Sequence, residues 1–205
     1  MPPPSLPQST TPALALTADQ QLDRGFSVAF GSTASGEGAY RPEGILPIGS
    51  HLAIIAVKTN EKVHAEPGTL AIQYLNRSGD VFSMSGTRLE VRTGSSGPIA
   101  GWKVRRDLAD NPIVVVEGGG TWQGCTSSGV TLIELTPDRP RTIVDFIPVI
   151  YSNDSGFGTA GFFEGKLSRA GHGIKVSYSA SSSKTVTYVR RGDRLIPTSR
   201  SPQTC

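Results

Sequence analysis

Residues 113–136 read IVVVEGGGTWQGCTSSGVTLIELT, two strand-like runs around a segment that is rich in glycine. The runs Ile113–Glu117 and Val130–Thr136 consist largely of β-branched residues, which are enriched in strands. Between them, residues 118–129 contain five glycines together with Trp122 and Cys125. A β-branched run, not an amphipathic helix, follows the glycines. The stretch therefore predicts two strands joined by a glycine-rich loop.

Similar short runs extend from this stretch towards both ends of the chain. They lie at 26–30, 52–57, 70–75, 81–84, 88–92, 100–104, 142–151, 162–167, 174–178, 185–189 and 194–196. The run at 52–57 is continuously apolar, which is typical of a strand buried on both faces. Asn76–Gly79 predicts a hairpin turn, and Pro148 indicates an edge strand or a bulge. The best helix candidate, residues 17–24, spans one or two turns.

This pattern predicts an all-β protein, an antiparallel β-sandwich or barrel-like sheet of about ten or more short strands. Residues 1–20 are rich in Pro, Ser and Thr, so we expect a flexible, disordered N-terminal arm. Residues 21–205 are then a single β domain. A subdivision near residues 108–112 is the alternative, because that stretch is the most linker-like in the chain.

The charge and hydropathy of the chain exclude several classes of partner. The net charge is only +3 and the basic residues are scattered, so no nucleic-acid partner is expected. No apolar run approaches the ~18–20 residues of a membrane helix, so no membrane span is expected either. The three histidines are far apart, and none has a Cys, an Asp or a second His at ligand spacing, so we expect neither a metal nor another cofactor.

The N-terminus and the two cysteines point to export. The proline-rich start resembles the tether that follows a cleaved signal peptide, so we expect a periplasmic or secreted protein whose leader is missing from this sequence. A disulfide between Cys125 and Cys205 fits such a compartment. A cytoplasmic protein with a disordered arm and two free thiols is the alternative.

Two catalytic arrangements can be considered. Cys125 and His172 are the residue types of a cysteine hydrolase, in which an imidazole generates the thiolate. The residues after Cys125 form a turn and a strand, however, so no helix dipole lowers its pKa. A carboxylate pair of the glycosidase type is the second arrangement. Its candidates are Glu117, Glu134, Asp145, Asp154 and Glu164.

A binding function has broader support in the sequence. Trp122 and Gln123 lie in the glycine-rich stretch, and Asn153, Asp154 and Phe157 lie in a second segment with many small residues. A sandwich can place both segments at one end, where they are candidate ligand-binding residues. We therefore expect a non-catalytic exported β-domain that binds an envelope, glycan or protein partner. A hydrolase and a structural subunit of a larger assembly are the alternatives.

Overall fold

The computed structural model describes residues 16–31, 39–58, 67–93, 99–154, 160–180, 183–202 and 204 of the chain. These residues form one helix and twelve strands. The strands pair in two antiparallel sheets, one of four strands and one of eight. The predicted all-β class, its antiparallel pairing and its strand number are thereby confirmed.

The four-stranded sheet, sheet A, is a meander in which each strand pairs with the next along the chain. Its strands are β1 (Tyr40–Ile48), β2 (His51–Lys58), β3 (Thr69–Ser78) and β4 (Val81–Arg92). Gly79 adopts a positive φ of 60° in the turn between β3 and β4, as the predicted hairpin requires.

The eight-stranded sheet, sheet B, is also a meander. Its strands are β5 (Ile99–Arg105), β6 (Ile113–Trp122), β7 (Cys125–Leu135), β8 (Pro140–Asn153), β9 (Gly161–Ala170), β10 (Gly173–Ser179), β11 (Lys184–Arg191) and β12 (Arg194–Pro197). Strand β12 returns to contact β8. The later strands of sheet B therefore fold over the earlier ones and enclose a core of their own.

A helix, α1 (Ala18–Phe30), precedes the strands. Thr17 and Gln20 form a capping box, in which each side chain accepts a hydrogen bond from the other residue's backbone N–H. Gly25 allows close packing, because a Cβ there would lie 2.8 Å from Cδ1 of Ile54. The predictions of a strand at residues 26–30 and of only one or two helical turns are wrong, since the helix continues to Phe30.

The central strands of sheet A, β2 and β3, are buried on both faces over most of their length. Ile54 and Ala56 of β2 pack towards α1, whereas Ala53 and Ile55 belong to the cluster shared with sheet B. The prediction that residues 52–57 form a strand without a solvent face is therefore confirmed. The layers follow in the order α1, sheet A, sheet B.

Strand β6 supplies side chains to two cores. Val114 and Val116 face sheet A, and Ile113 and Val115 face the cluster enclosed by sheet B. That second cluster also holds a group of aromatic side chains from neighbouring strands, Tyr151, Phe163, Tyr178 and Tyr188. The β-branched run Ile113–Glu117 thus separates the two cores.

The predicted glycine-rich loop is mostly strand. β6 runs to Trp122 and β7 begins at Cys125, so only Gln123 and Gly124 form the turn. A Cβ at Gly118 would lie 2.5 Å from Cβ of Thr93, and a Cβ at Gly129 would collide with the ring of Phe146. These glycines allow neighbouring segments to pack closely on the strands. The prediction of a glycine-rich loop did not include this packing role.

Three prolines affect the strand pattern. The register between β7 and β8 shifts next to the pair Gly129–Pro148, so the predicted bulge is confirmed. The edge alternative is wrong, because β8 lies between β7 and β9. Strand β1 was not predicted, since Pro42 and Pro47 interrupt its pattern. It has a bulge between Pro42 and Gly44 and lies at a sheet edge, where proline is tolerated.

Strand β4 is the other edge of sheet A and carries a bulge opposite Gln73. The buried amide of Gln73 donates from Nε2 to the carbonyls of Tyr74 (2.9 Å), Ser85 (3.1 Å) and Gly86 (3.3 Å). Gly86 has a positive φ of 69°. The side chain of Gln73 therefore satisfies carbonyl groups at the place where the ladder is interrupted.

The expected domain boundaries can be located on this fold. Residues 18–20 of the expected arm belong to α1, and residues 1–15 lie outside the described residues. The stretch 108–112 joins β5 to β6 within one sheet, and Leu108 is buried in the core of sheet B. The change from sheet A to sheet B falls between Arg92 and Ile99 instead.

Candidate functional site

The turn between β6 and β7 brings the first candidate residues to one end of sheet B. Gln123 and Gly124 have φ values of 48° and 80°. Two consecutive positive φ values suit the right-handed twist of a two-residue hairpin, and glycine adopts them without strain. Both residues are exposed, so the side chain of Gln123 is accessible at this end.

The two segments singled out in the sequence meet at this end. Trp122 pairs with Cys125, Cys125 with Asn153, and Asn153 with Gly161. We call this edge, formed by the 123–124 turn, the end of β8 and the beginning of β9, the turn end of sheet B. Phe157 and the side chain of Trp122 lie outside the described part of the structure.

The two remaining candidates at the turn end differ in accessibility. Asn153 is buried, and its Nδ2 donates to the Tyr151 hydroxyl at 3.3 Å. Asp154 follows directly and is exposed. Asn153 therefore contributes to the packing beneath the turn end, whereas Asp154 and Gln123 are open to solvent.

The outer face of sheet B beside the turn end carries hydroxyl groups and one exposed aromatic ring. Thr121 and Thr126 are paired and share a hydrogen bond of 2.8 Å between their hydroxyl groups. Ser152 pairs with Thr126 on one side and with Phe162 on the other. Phe162 is 57% exposed. We call these four residues, which follow one another across four strands, the hydroxyl row.

Phe162 was not among the binding residues selected from the sequence. The available signal was the adjacent pair Phe162–Phe163, because consecutive residues of a strand point to opposite faces. Phe163 is buried in the core of sheet B, so Phe162 must lie on the outer face. Ile150, on the neighbouring strand and diagonal to Phe162, is 42% exposed and adds apolar surface.

The opposite end of sheet B is rich in charge. We call it the ion-pair end; it comprises the connections at 106–112, 136–139, 171–172 and 192–193. Both carboxylate oxygens of the buried Glu134 accept hydrogen bonds from Arg190 at 3.0 Å. Asn111 donates to the same carboxylate at 3.3 Å. This pairing connects β11 to β7 across the enclosed core.

Further ion pairs reinforce the ion-pair end. Arg194 pairs with Asp145, Arg141 donates to Asp193 at 2.7 Å, and Arg169 donates to Asp110 at 2.6 Å. The hydrogen bond from Arg169 lowers the pKa of Asp110 below its usual value. These contacts hold β12 and the 106–112 connection against strands that are distant in sequence.

The pairing does not bring Cys125 and His172 together. Cys125 lies at the turn end, whereas His172 lies in the turn between β9 and β10, at the ion-pair end. The length of β9, Gly161–Ala170, separates the two ends by about 30 Å at the rise of an extended strand. The imidazole of His172 therefore cannot activate the sulfur of Cys125 in this fold.

The state of Cys125 also differs from that of a nucleophile. Cys125 is buried at 7% exposure and is not a free thiol. Its predicted partner, Cys205, lies outside the described residues, so the bridge between the two remains a prediction. A sulfur that is not a free thiol needs reduction before it can attack a substrate.

Three of the five candidate carboxylates contact cationic side chains. Glu117 lies 2.6 Å from Nζ of Lys103, Glu134 is held by Arg190, and Asp145 pairs with Arg194. Asp154 and Glu164 are exposed at or near the turn end. Among the described residues, these contacts suit ion pairing and do not form the opposed carboxylate pair that glycoside hydrolysis uses.

No group of three or more metal-ligating side chains occurs in the described parts of the chain. His51 stacks on Tyr74, with ring centroids 5.8 Å apart, and His172 lies in the β9–β10 turn. Within the same described residues, no helix has the length and apolar character needed to cross a membrane.

Comparison with protein-family models, curated proteins and solved structures finds no match to this chain.

Proposed function

We propose that this chain is a non-catalytic exported β-domain that binds a glycan at the turn end and along the hydroxyl row of sheet B. The observation that carries the proposal is the exposed ring of Phe162, in register with Ser152 and Thr126 on a sheet face. Aromatic rings offer a large, rigid apolar contact at low entropic cost. Hydroxyl side chains can both donate and accept hydrogen bonds, as sugar hydroxyls do.

The aromatic layer beneath the hydroxyl row supports this proposal. Phe163 stacks on Tyr151 at a centroid distance of 5.4 Å and meets Tyr178 edge-on at 5.3 Å. Because Phe163 adjoins Phe162 in β9, this packing restricts the backbone that presents Phe162. A rigid platform loses less conformational entropy on binding than a flexible loop does.

The distribution of reactive groups favours binding over hydrolysis. Cys125 and His172 lie at opposite ends of sheet B, and the buried Glu134 is neutralised by Arg190. A hydrolase needs its nucleophile or acid within hydrogen-bond reach of its base. The two hydrolase alternatives therefore lack a nucleophile or acid placed within hydrogen-bond reach of a base.

An oxidising compartment, reached by export, best fits a Cys125 that is not a free thiol. Bridged cysteines persist in oxidising compartments and are rare in the cytosol. We propose Cys205 as the partner, since the sequence contains only these two cysteines. The course of the C-terminal segment supports this, because Ser201 bonds to the Tyr188 hydroxyl at 2.9 Å, over the core that also contains Cys125.

The glycan proposal is tested by affinity capture and titration with immobilised and soluble polysaccharides, including peptidoglycan fragments. We expect Phe162→Ala to weaken binding about tenfold or more, as stacked aromatic anchors do. Met84→Ala is the matched control, because Met84 is 60% exposed but lies on β4 of sheet A. Equal weakening by both variants, or unchanged retention by Phe162→Ala, would remove the hydroxyl row from the proposal.

A protein partner and self-assembly are distinguished by the same preparations. If no polysaccharide binds while Phe162→Ala abolishes capture of a specific protein, the partner is a protein and not a glycan. Light scattering at increasing concentration tests the structural-subunit alternative. We expect a constant mass, and a mass that rises with concentration would favour assembly.

A further inference from the structure

We propose that the glycan bound at the turn end carries protonated amino groups, as a polymer of N-deacetylated hexosamine does. This inference rests on the proposed glycan function and names the charge of its ligand. Two kinds of group that attract an ammonium ion lie there, the exposed ring of Phe162 and the exposed carboxylates of Asp154 and Glu164. A carboxylate attracts the ion by its charge, and an aromatic face attracts it through the ring quadrupole.

The acidic side chains of sheet B and its connections differ in whether the chain supplies them with a cation. Nine of them occur between residues 99 and 202. Seven lie within 4.0 Å of an arginine or lysine nitrogen. These seven are Asp107, Asp110, Glu117, Glu134, Asp138, Asp145 and Asp193. Among the described residues, the two acidic side chains of sheet B without such a partner are Asp154 and Glu164, on either side of Phe162.

The aromatic rings show the same contrast. The guanidinium of Arg88 lies 4.6 Å from the centroid of Phe30, and that of Arg77 lies 5.9 Å from the centroid of Phe82. Phe82 is only 8% exposed, whereas Phe162 is 57% exposed and meets no cation within the described parts of the chain. Both kinds of cation-binding group are therefore paired elsewhere by the protein itself, but remain available to a ligand around Phe162.

The strand pairing places the ring between the two carboxylates. Phe162 pairs with Ser152, and Glu164 pairs with Ile150 on the same two strands. Because alternate residues of a strand share a face, Glu164 lies on the face of Phe162, about 7 Å away along β9. Asp154 follows Ser152 by two residues in the opposite direction. A glycan that stacks one sugar on the ring can therefore extend towards a carboxylate in either direction.

The first cation along this face of β9 lies beyond Glu164. Lys166 is exposed and follows Glu164 by two residues, so it lies about 13 Å from Phe162 along the strand. In the other direction, residues 153–161 contain neither lysine nor arginine. The charge that adjoins Phe162 on these strands is thus negative, which favours an amine over an acidic sugar.

The hydroxyl row favours an amino sugar over a cationic peptide. Thr121, Thr126 and Ser152 present hydroxyl groups on the side of Phe162 that leads to β6. Hydroxyl groups can both donate to and accept from the hydroxyl groups of a sugar. The side chains of a basic peptide carry amines but offer no such complement to the row.

The test compares two oligosaccharides of one length that differ in the amine alone, the hexamers of glucosamine and of N-acetylglucosamine. Each is titrated into the whole protein by calorimetry at a mildly acidic pH, where the glucosamine amines are protonated. We expect the glucosamine hexamer to bind about tenfold more tightly, because it adds contacts to two carboxylates. This preference should decrease as the salt concentration rises, since salt screens exposed charges.

Two isosteric substitutions identify the source of the preference. Glu164→Gln and Asp154→Asn should each weaken binding of the glucosamine hexamer about three- to fivefold and leave binding of the N-acetylglucosamine hexamer unchanged. The combined variant should bind the two hexamers equally. Asp138→Asn is the matched control, because Asp138 is 84% exposed but lies at the ion-pair end. It should retain the full preference.

The outcomes separate this inference from the function on which it rests. Equal affinity of the unmodified protein for both hexamers would overturn the amine assignment and leave the glycan proposal in place. Failure of both hexamers and of all polysaccharides to bind would overturn the glycan proposal itself. A preference that survives in the combined variant would overturn the role of the two carboxylates. Oligolysine that binds more tightly than the glucosamine hexamer would overturn the choice of a glycan over a peptide.

Discussion

The two ends of sheet B are organised by different chemistry. The ion-pair end has charged side chains that pair across the enclosed core, with the buried Glu134 and its partner Arg190 at the centre. The turn end has glycine, hydroxyl side chains and Cys125 above a layer of aromatic rings. The first end holds strands together that are distant in sequence, while the second presents an outer face with hydroxyl groups and an exposed aromatic ring.

This difference shows why a concentration of titratable residues is a poor guide to function here. Most of the charged groups at the ion-pair end are satisfied by one another, so they stabilise the closure of β11 and β12 over β7 and β8. Unused bonding capacity, more than the number of charges, marks a candidate site.

The largest effect is expected at the turn end, from the predicted bridge between Cys125 and Cys205. Cys125→Ser should lower the free energy of unfolding by on the order of 4 kcal/mol, because the bridge closes a long loop in the unfolded chain. Chemical denaturation with and without reductant measures this. Reductant should destabilise the original protein and leave the variant unchanged.

Intact mass after alkylation provides the corresponding direct observation. Without reduction, we expect no label on either cysteine. Labelling of Cys125 in the folded, unreduced protein would contradict the bridge, and with it the idea that a covalent bond secures the turn end.

The next effect concerns the glycines of the β6–β7 hairpin. Gly129→Ala should destabilise the protein by about 3 kcal/mol, because the new Cβ collides with the ring of Phe146. Gly101→Ala is the control, since a Cβ there meets nothing within 4 Å. Thermal unfolding of both variants provides the measurement. Similar stabilities of the two variants would show that packing does not require glycine at position 129. A role of Gly129 in contacting a ligand would then be the alternative.

At the ion-pair end, Glu134→Gln should lower the free energy of unfolding by about 1–3 kcal/mol, since it leaves Arg190 without a charged partner in a partly buried position. Glu117→Gln is the matched substitution at an exposed pair with Lys103, where about 0.5 kcal/mol or less is expected. Urea denaturation compares the two. Equal effects would mean that the ion-pair end is no more than a solvated surface.

The smallest effect is a pH dependence at the 106–112 connection. The hydrogen bond from Arg169 lowers the pKa of Asp110, so the folded carboxyl loses its proton more easily than the unfolded one. The stabilisation is therefore present above the unfolded pKa of about 3.9 and is lost as the pH falls through the folded pKa. NMR titration should place the Asp110 midpoint below 3.8, with a return towards the ordinary value in Arg169→Gln. An unchanged midpoint in the variant would contradict this.

The sequence predicted much of the sheet because alternation and continuous apolar runs are local signals. Residues 52–57 show this, as they form a strand buried on both faces. Only the first part of the helix was predicted, because Gly25 and the β-branched Val28 weaken the helix propensity of the rest, although Leu22, Phe26 and Ala29 have helical spacing. Its stability comes from packing on Ile54 and Leu75, a tertiary contribution that propensity does not contain.

The candidate site was predictable in part. The sequence identified the two segments that meet at the turn end, because small residues between strand-like runs indicate turns. It could not separate the buried Asn153 from the exposed Gln123, since burial there depends on pairing with strands elsewhere in the chain. The pairing of Glu134 with Arg190 depends on a contact between distant segments, so no local pattern indicated it.

The bulge of β4 bears on how readily another chain could extend sheet A. An edge strand with regular, unpaired backbone groups is a template on which another chain can extend the sheet, and bulges interrupt that template. In β4 the interruption lies in the middle of a twelve-residue strand, and Gln73 occupies the carbonyls that it releases. By satisfying the carbonyls of the bulge from the β3 side, Gln73 stabilises the interruption that makes this edge a poorer template for another chain.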